Sequence, residues 1–467
     1  MESIKISDVV RITGGLCDYS EDVCITGAET DSRRIKKGDM YVAIVGAKVD
    51  GHSFIKSAAD SGAVCAIVSR HIENSPIPTI LTESPEEALR SVARAYFEMM
   101  SPLTVAVTGS CGKTTTKEML FDVFSQKYNN TLKTAGNYNS IIGLPLTVCR
   151  LSEKNKAAVF EMGTGHKGEI KTMCSIVKPD IAVITNIGTS HIEFFGSREA
   201  IANEKCDIFR AVKPGGTMIV NIDDDMLAKT LDDKSLTAKR ITYGIYNKAD
   251  VTAANIETFS RDDIFITEFD INHGSQSVHV KINTLGIHNV YNALAAAAAG
   301  IADGIPLESI SRGLAEFIPD DMRMKVFKCI DGVTVISDVY NSNPQAVKAS
   351  VKVMNDIAKG RKIAILGDML EQGDFSAEAH TDIGRYTAHF VNMLITRGDM
   401  AIYTSGGAAE HMSYKNIQTL HSNEEVIEFL SSFDFMPDDT FLIKGSRGMK
   451  MEEITDYILN KRFCIEQ

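Results

Sequence analysis

The stretch "VAVTGSCGKTTTKEML", residues 105–120, passes from an apolar strand through a glycine-containing turn into a helix. Small residues at such a turn let backbone N–H groups approach an anion, and the helix N-terminus adds a favourable dipole. The standard phosphate loop, GxxxxGK[ST], places four residues between its glycines, whereas Gly109 and Gly112 enclose only two. The stretch therefore predicts a phosphate-binding loop of a shortened type. The alternative is an ordinary strand–helix turn that happens to contain a lysine.

The side chains of this loop suit a nucleoside triphosphate with magnesium. Lys113 supplies a positive charge for the β- and γ-phosphates, and the hydroxyl of Thr114 or Thr115 can ligate Mg²⁺. We interpret Cys111 as a small loop residue rather than a nucleophile. The predicted nucleotide-binding residues of the loop are Gly109, Ser110, Cys111, Gly112, Lys113, Thr114 and Thr115.

Apolar runs alternate with helical patterns from residue 103 onwards. We predict buried strands at "LTVAVTG", "AAVFEMG", "DIAVITNIG" and "GTMIVNIDD". A long alanine-rich helix is predicted at "LGIHNVYNALAAAAAGIADG", ended by Gly300 or Gly304. Strands that alternate with helices form a mainly parallel, doubly wound sheet, on which ligands bind beyond the carboxyl ends of the strands. The predicted fold class is therefore α/β, with a central sheet of the P-loop type.

Two breaks in this pattern divide the chain into three predicted domains. Short strands precede a helix at 84–100, with Ser84 as its N-cap and Pro85 in its first position, and "MSPL" then ends the helix. A second break at "FIPDDMRMKVF", 317–327, is followed by a renewed strand–helix rhythm without a GxGxxG turn. We predict a smaller N-terminal α/β domain at 1–101, a central nucleotide-binding domain at 102–318 and a C-terminal Rossmann-like α/β domain at 319–467.

Composition limits the classes of function. The 467 residues carry a net charge of −12, which argues against nucleic acid as the main partner, because such proteins usually present a basic face. The nine cysteines are an odd number without a CxxC pair, so we expect reduced thiols in a cytoplasmic protein, with neither a disulfide framework nor a zinc site. No secretory signal pattern is present, and the run at 293–302 is shorter than the roughly 20 apolar residues of a membrane span.

Five polar residues outside the loop are candidates for the same site. Glu161 and His191 follow strands of the predicted central sheet, so both could converge with the phosphate loop on one cleft, where Glu161 is well placed for Mg²⁺. Considered alone, Glu161 fits a helix cap or an exposed charge equally well, and a structural role is the alternative for His191. Lys205, considered alone, is typical of a solvated helix lysine. Asn289 and Asn292 are three residues apart and share one helix face, from which two amides could bind a nucleobase. Capping or an exposed polar face is the alternative for this pair.

Taken together, these stretches resemble the Mur ligases, the ATP-dependent amide-forming enzymes of bacterial cell-wall precursor synthesis. The resemblance covers nearly the whole chain and includes the shortened loop. The other stretches that carry it are "TAGNYNSIIGLPLT", "FEMGTGHKGEI", "TNIGTSHIEFFGS", "IANEKCDIF", "GIHNVYNALAAAA", "ISDVYNSNPQAV", "LGDMLEQG" and "LIKGSRGMKMEE". The segments "KTTTKEM", "VYNSNP", "GDMLEQG" and "KGSRG" are most similar to the branch that adds D-alanyl-D-alanine to UDP-N-acetylmuramoyl-tripeptide. The DNPR motif usual in the diaminopimelate-adding branch is absent from the sequence.

The resemblance implies an ATP-dependent ligase that acts through an acyl phosphate, as a cytoplasmic monomer. Lys113 and Thr114 or Thr115 would bind the ATP phosphates and a first Mg²⁺, while Glu161 and His191 would bind magnesium near the γ-phosphate and the acceptor carboxylate. Lys205 would be carbamylated by CO₂. The other implied contacts are Asn289 and Asn292 with adenine, Arg323 with the phosphates, Asp338 with the ribose, Asp31, Ser32 and Arg33 with the uridine-nucleotide end of the substrate, Thr134, Asn137 and Asn139 with its muramoyl side, and Tyr340, Asn341 and Lys444 with substrate.

Two positions depart from the family pattern: Asn139-Ser140, where two asparagines are frequent, and Ser337-Asp338, where two aspartates are frequent. Neither departure removes an implied metal ligand. Closure of the third domain over ATP would need a hinge near 317–323. Two other functions stay open: another amide ligase of the superfamily, such as a folylpolyglutamate synthase or a different amino-acid adder, and a P-loop regulatory ATPase. The third residue of the tripeptide, lysine or diaminopimelate, is also open.

Overall fold

A computed structural model describes residues 1–17, 23–261, 264–319, 322–462 and 464–466. These residues form three α/β domains, each built on its own sheet, as predicted. Within these ranges, no helix combines the length and the hydropathy that a membrane span requires.

The N-terminal domain combines a parallel sheet with three helices. Its elements are β1 (Ile4–Lys5), α1 (Ile6–Thr13), β2 (Cys24–Ile25), β3 (Gly27–Glu29), β4 (Asp39–Val42), α2 (Ile55–Asp60), β5 (Cys65–Val68), β6 (Thr79–Leu81) and α3 (Pro85–Met100). Strands β3 to β6 pair in parallel in chain order. Ser84 caps α3 by accepting a hydrogen bond from the Glu87 N–H, and Pro85 occupies its first position, as predicted.

The central domain is built on a nine-stranded sheet. Its elements are β7 (Leu103–Thr108), α4 (Lys113–Ser125), β8 (Leu132–Lys133), α5 (Gly143–Val148), β9 (Ala157–Glu161), α6 (Glu169–Ile176), β10 (Ile181–Ile184), α7 (Ile192–Phe195), α8 (Arg198–Lys205), α9 (Asp207–Arg210), β11 (Thr217–Asn221), α10 (Asp225–Ala228), β12 (Lys239–Gly244), β13 (Val251–Arg261), β14 (Ile264–His273), β15 (Gln276–Ile282), α11 (Ile287–Ala302) and α12 (Leu307–Ala315).

The strand order of this sheet is β15-β14-β13-β12-β11-β10-β7-β9-β8. Pairing is parallel from β8 to β13, which agrees with the predicted doubly wound core. Strands β13 to β15 form an antiparallel meander at one edge, which the strand–helix rhythm did not predict. Strands β10, β7 and β9 are neighbours, so the loops after their carboxyl ends lie side by side.

The C-terminal domain contains a seven-stranded sheet. Its elements are β16 (Lys325–Cys329), β17 (Thr334–Asp338), α13 (Pro344–Ile357), β18 (Lys362–Gly367), α14 (Ser376–Ala388), β19 (Met393–Arg397), α15 (Ala401–Ala409), β20 (Ile417–Leu420), α16 (Asn423–Ser431), β21 (Thr440–Lys444), α17 (Glu452–Arg462) and β22 (Cys464–Glu466). The strand order is β20-β19-β18-β21-β17-β16-β22, with antiparallel pairing only at the edge formed by β16 and β22.

The alanine-rich helix α11 lies in the core of the central domain. Its residues 293–299 are fully buried, and the small side chains let the helix approach the neighbouring elements closely. A Cβ at Gly300 would lie 2.9 Å from Val123 on α4, so this glycine belongs to the helix–helix contact and not to the end of the helix. Gly304, with φ +70°, follows the last helical residue. Of the two predicted terminators, Gly304 is therefore correct and Gly300 is wrong.

Cys329 is disulfide-bonded, so the expectation of reduced thiols throughout is wrong at this position. The cysteines described as free thiols are Cys17, Cys24, Cys65, Cys111, Cys149, Cys174 and Cys206. The predicted boundaries after residues 101 and 318 stay predictions, and part of the predicted hinge, residues 320–321, lies outside the described residues.

Candidate active site

The loops after β10, β7 and β9 meet the C-terminal domain around one cleft of about 860 Å³. The cleft is therefore bounded by both domains, at the edge of the central sheet where ligands of such folds bind. The predicted site residues that line it are Ser110, Cys111, Gly112, Lys113, Thr114, Thr115, Asn139, Glu161, His191, Asn289, Asn292, Arg323, Asp338, Tyr340, Asn341 and Lys444. Those that do not are Gly109, Lys205, Asp31, Ser32, Arg33, Thr134 and Asn137.

The two glycines of the loop allow close contacts that a side chain would prevent. A Cβ at Gly109 would lie 1.9 Å from Thr185 Oγ1, and a Cβ at Gly112 would lie 2.4 Å from Asn292 Oδ1. Gly112 also has φ +82°, in the left-handed region that favours glycine, immediately before α4 begins. The short spacing between the glycines therefore produces a tight turn into the helix, as the sequence predicted.

The side chain of Lys113 bends back and contacts the backbone of its own loop. Its Nζ donates a hydrogen bond of 2.7 Å to the carbonyl oxygen of Gly109. Desolvation of the ammonium group lowers the pKa of Lys113, and the nearby carboxylate of Glu161 opposes this shift. The side chain lines the cleft, so an anion bound there would compensate the desolvated positive charge.

The two carboxylate oxygens of Glu161 differ in their hydrogen bonding. Oε1 accepts hydrogen bonds from Asn139 Nδ2 at 2.8 Å and from Thr114 Oγ1 at 3.2 Å. Oε2 is buried and accepts no hydrogen bond from any described residue. Its neighbouring cation is Lys117, whose Nζ lies 4.0 Å from Oε2. A buried carboxylate oxygen without a donor is costly, so this arrangement favours a bound cation.

Lys205 is a buried lysine, with 1% of its surface exposed. Among the described residues, its Nζ has neither a hydrogen-bond partner nor an ion-pair partner within 4.0 Å. Burial, together with repulsion from Lys113, lowers the pKa of Lys205 well below its ordinary value. The interpretation as a solvated helix lysine is therefore wrong, because Lys205 is buried and its surroundings disfavour the charged form.

His191 lies at the boundary between the two domains. Its Nδ1 is 2.6 Å from Oε2 of Glu371, which belongs to the C-terminal domain. Both residues adopt the left-handed backbone conformation, with φ +63° for His191 and φ +61° for Glu371. This conformation is uncommon for a glutamate, whereas histidine, like asparagine and aspartate, adopts it more often than most other residues.

Asn289 and Asn292 form a polar chain between α11 and α4. Asn289 donates to Thr284 Oγ1 at 3.0 Å and to the carbonyl oxygen of Leu285 at 2.8 Å. Asn292 donates to Asn289 Oδ1 at 3.0 Å and accepts from Thr116 Oγ1 at 3.2 Å. Both asparagines are 5% exposed, so the alternative of an exposed polar face is wrong. The helix begins after Gly286 without a side-chain cap, so the capping alternative is wrong as well, and both asparagines line the cleft.

The C-terminal domain contributes charged side chains that line the cleft. Lys444 Nζ lies 2.5 Å from Asp338 Oδ2, and this oxygen also accepts from Ser350 Oγ at 2.7 Å. Burial alone would raise the pKa of Asp338, but the Lys444 ammonium and these hydrogen bonds outweigh it and lower the pKa. Arg323 donates to Thr114 Oγ1 at 3.0 Å and stacks over the ring of Tyr340 at 4.0 Å.

The residues predicted at the nucleotide end of the substrate lie on the N-terminal domain. Arg33 donates to both carboxylate oxygens of Asp31 at 2.9 and 2.8 Å, which lowers the pKa of Asp31 to about 2. Ser32 between them is buried. The neighbouring Arg34 donates to the hydroxyl of Tyr138, which connects this segment to the central domain.

Within the central domain, the three residues predicted for the muramoyl side occupy different environments. Thr134 is fully buried, and its hydroxyl accepts from the Glu161 N–H at 3.0 Å. Asn137 is exposed and outside the cleft, whereas Asn139 reaches Glu161 within it. Thr134 therefore supports Glu161 through the backbone, and Asn139 is the member that faces the cleft.

Sequence reasoning missed several residues that shape the site. Asn186 accepts from the Ser110 N–H through its backbone carbonyl at 3.0 Å and from the Cys111 N–H through its side chain at 2.9 Å. Asn343 caps α13 and donates to Ser190 Oγ at 2.8 Å across the domain boundary. Asn186 in "TNIG" and Asn343 in "VYNSNP" were not predicted as site residues, because no local pattern indicates such distant contacts.

Comparison with protein-family models gives three matches in chain order. They are the Mur ligase family, catalytic domain, at residues 24–97, the Mur ligase middle domain at residues 107–300, and the Mur ligase, glutamate ligase domain, at residues 322–447. The chain belongs to the Mur ligase family. This Mur ligase shares 34% identity with UDP-N-acetylmuramoyl-tripeptide–D-alanyl-D-alanine ligase of Bacillus subtilis, over 96% of each chain.

Solved structures of Mur ligases give the same result. The fold matches a crystal structure of MurF from Acinetobacter baumannii with a TM-score of 0.90 and 30% identity, over 98% of this chain and 99% of that one. It also matches MurF ligase from Thermotoga maritima in complex with ADP, with a TM-score of 0.81 and 27% identity, over 94% and 98% of the chains. The predicted family and fold are therefore confirmed.

Proposed function

We propose that this Mur ligase joins D-alanyl-D-alanine to UDP-N-acetylmuramoyl-tripeptide and converts ATP to ADP and phosphate. The observation that supports the proposal most is the cleft itself, which is lined by the phosphate loop, by Glu161 and by residues of the C-terminal domain. The substrates are those in the name of the Bacillus subtilis relative. ATP use agrees with the family and with the ADP complex of the Thermotoga maritima structure.

The residues present fit a magnesium ion bound together with ATP. Thr114 offers a hydroxyl and Glu161 a buried, open carboxylate oxygen, and Mg²⁺ prefers oxygen ligands of this kind. The described residues contain no cluster of three or more His, Cys, Asp or Glu side chains arranged for a metal, so phosphate oxygens and water would complete the coordination. Magnesium, when bound, would neutralise the charge between the triphosphate and the acceptor carboxylate.

The first half of the reaction must make the acceptor carboxylate a better acyl donor. A carboxylate oxygen of the tripeptide attacks the γ-phosphorus of ATP, the bond to the β-phosphate oxygen breaks, and an acyl phosphate and ADP result. Phosphoryl transfer depends mainly on positioning and charge neutralisation. Lys113 and the N-terminus of α4 would bind the phosphates, and Arg323 would approach them from the C-terminal domain.

The second half forms the amide bond. The amine of D-alanyl-D-alanine attacks the acyl carbon, phosphate leaves, and the amine loses its proton. Water must be excluded because it would hydrolyse the acyl phosphate, and the cleft between two domains provides such protection. Asn289 and Asn292 would contact adenine, Asp338 the ribose, and Tyr340, Asn341 and Lys444 the substrate side of the cleft.

A carbamate on Lys205 fits the chemistry of its surroundings. A neutral amine attacks CO₂ and loses a proton, and the lowered pKa favours the neutral form of Lys205. The resulting anion would lie near the positive charge of Lys113. In this proposal the carbamate helps to hold the metal site, a role that an ammonium ion could not fill.

A phosphate-release assay with a panel of substrates tests the proposed reaction. We expect phosphate release only when UDP-N-acetylmuramoyl-tripeptide and D-alanyl-D-alanine are both present, with both the lysine and the diaminopimelate tripeptides included. Turnover with a folate and glutamate would indicate the folylpolyglutamate synthase alternative. Release of phosphate without any amide acceptor would indicate a regulatory ATPase and contradict the proposal.

A further inference from the structure

The contact between His191 and Glu371 joins a half-buried imidazole to an exposed carboxylate. The imidazole is 25% and the carboxylate 50% exposed, so simple ion pairing contributes little stability. Nevertheless both residues hold a left-handed backbone conformation, which is uncommon for a glutamate such as Glu371. Strained backbone that persists without a clear gain in stability is characteristic of functional sites.

The local structure around Glu371 directs its side chain across the domain boundary. Glu371 lies in "LGDMLEQG", two residues before Gly373, and a Cβ at Gly373 would lie 2.9 Å from Cγ of Glu193 on α7. The Leu370 N–H next to it is fixed by Ser446 Oγ at 2.9 Å. This turn of the C-terminal domain therefore packs directly against the short helix that His191 begins.

The contact involves only one of the two imidazole nitrogens. Nδ1 is buried and lies 2.6 Å from Glu371 Oε2, in a direction that is not that of a regular hydrogen bond, and Nε2 makes no comparable contact with a described residue. Imidazole ligands of metals commonly donate the other ring N–H to a carboxylate, which fixes both the tautomer and the orientation of the ring. The ring also lines the cleft that contains Glu161.

We propose that Glu371 is a positioning residue for this reaction: it orients His191 so that Nε2 faces the metal and phosphate side of the cleft. The inference rests on the proposed function, in which His191 is a metal ligand. Because Glu371 belongs to the C-terminal domain, it can orient His191 only when that domain lies against the central one. Docking of the two domains would thus complete the metal site as well as cover the cleft.

Metal binding to the full chain tests this inference without measuring turnover. Mn²⁺ replaces Mg²⁺ as a probe, and free Mn²⁺ is titrated by electron paramagnetic resonance with a non-hydrolysable ATP analogue present. We expect Glu371→Ala to weaken Mn²⁺ binding about tenfold or more, the usual effect of losing such a carboxylate. Glu371→Gln, which keeps an oxygen for the Nδ1–H, should stay within about threefold of the wild type. Melting temperatures check that each variant is folded.

Two further variants separate the possible outcomes. Glu378→Gln removes an exposed carboxylate of the same domain and should bind Mn²⁺ like the wild type. If Glu378→Gln weakened binding as much as Glu371→Ala, the effect would be a general change in charge and the inference would fail. If His191→Gln weakened Mn²⁺ binding but Glu371→Ala did not, Glu371 would have no positioning role. The proposed role of His191 as a metal ligand would still be supported. Unchanged binding in His191→Gln would contradict the proposed role of His191 itself.

Discussion

At the residue scale, two lysines near the cleft differ in their exposure and in their hydrogen-bond partners. Lys113 lines the cleft and donates a hydrogen bond to a backbone carbonyl, so an anion in the cleft could contact its ammonium group directly. Lys205 is buried without a partner among the described residues, so its charge is disfavoured. Their sequence contexts do not reveal this difference, because a lysine in a helix is usually solvated.

Replacing Lys113 tests the phosphate loop. We expect Lys113→Ala to lower ATP-dependent ligation about a hundredfold or more, since removing one preorganised charge from a transition state has effects of that size. The rate of phosphate release in the presence of both co-substrates measures this ligation activity. Lys171→Ala, at an exposed lysine of α6, is the matched control and should keep normal turnover. Near-normal turnover in purified Lys113→Ala would show that the loop assignment is wrong.

Replacing Lys205 tests the carbamate. We expect Lys205→Ala to lose activity that high bicarbonate does not restore, whereas added short carboxylic acids restore part of it by replacing the anion. A carbamate signal in ¹³C nuclear magnetic resonance of wild-type protein with ¹³C-bicarbonate should be absent from the variant. Wild-type activity in Lys205→Ala would exclude this role.

At the element scale, close contacts between α4 and α11 hold the phosphate loop against the asparagine pair. Gly112 opens α4 and lies against Asn292 of α11, which in turn is bound by Thr116. The alanine run of α11 permits this proximity. The sequence predicted both helices from their patterns, but only the structure shows that the loop glycine and the asparagine pair are in contact.

A side chain at Gly112 should therefore disturb nucleotide binding. The Cβ of Gly112→Ala would displace Asn292 and strain a left-handed residue. We expect the affinity for an ATP analogue to fall about tenfold or more, measured by isothermal titration calorimetry. Gly406→Ala on α15, where a Cβ meets nothing within 4 Å, is the control and should bind normally. Equal affinity in both variants would contradict the proposed tight turn.

The start of α11 should also make stability depend on pH. Burial lowers the pKa of His288 from 6.5 to about 4, with a smaller opposing effect of Asp338. Since the unfolded chain takes up the proton first, the free energy of unfolding is greatest above pH 6.5 and falls between pH 6.5 and about 4. The loss is at most about 3 kcal/mol. Denaturant titrations of His288→Gln should show a weaker decline over this range, and those of exposed His421→Gln the wild-type decline.

At the scale of the whole molecule, the site depends on the contact between two domains. Arg323 and Asn343 reach Thr114 and Ser190 across the boundary at 3.0 and 2.8 Å. The strand–helix rhythm predicted the parallel core, because buried parallel strands are continuous apolar runs. It did not predict the meander at 251–282 or the pairing of His191 with Glu371, because such contacts join segments without a shared local pattern.

At this scale we predict that the C-terminal domain closes over the cleft when ligands bind. We expect the radius of gyration from small-angle scattering to decrease when an ATP analogue and the nucleotide substrate bind together, because the C-terminal domain would close over them. The hinge is predicted near 317–323. Scattering from Arg323→Ala should show a smaller decrease, since one contact across the boundary is lost. An unchanged radius in the wild type would count against closure.

The strand order of the C-terminal sheet has a consequence for biosynthesis. Strand β21, Thr440–Lys444, comes late in the chain but lies between β17 and β18, and it ends in the lysine that pairs with Asp338. During translation the first two domains can fold in turn as they leave the ribosome. The third sheet cannot close until residue 444 has been made. If Asp338 contacts the nucleotide as proposed, we expect a nascent chain to carry a finished phosphate loop without a complete nucleotide site, and to consume no ATP until its synthesis is almost over.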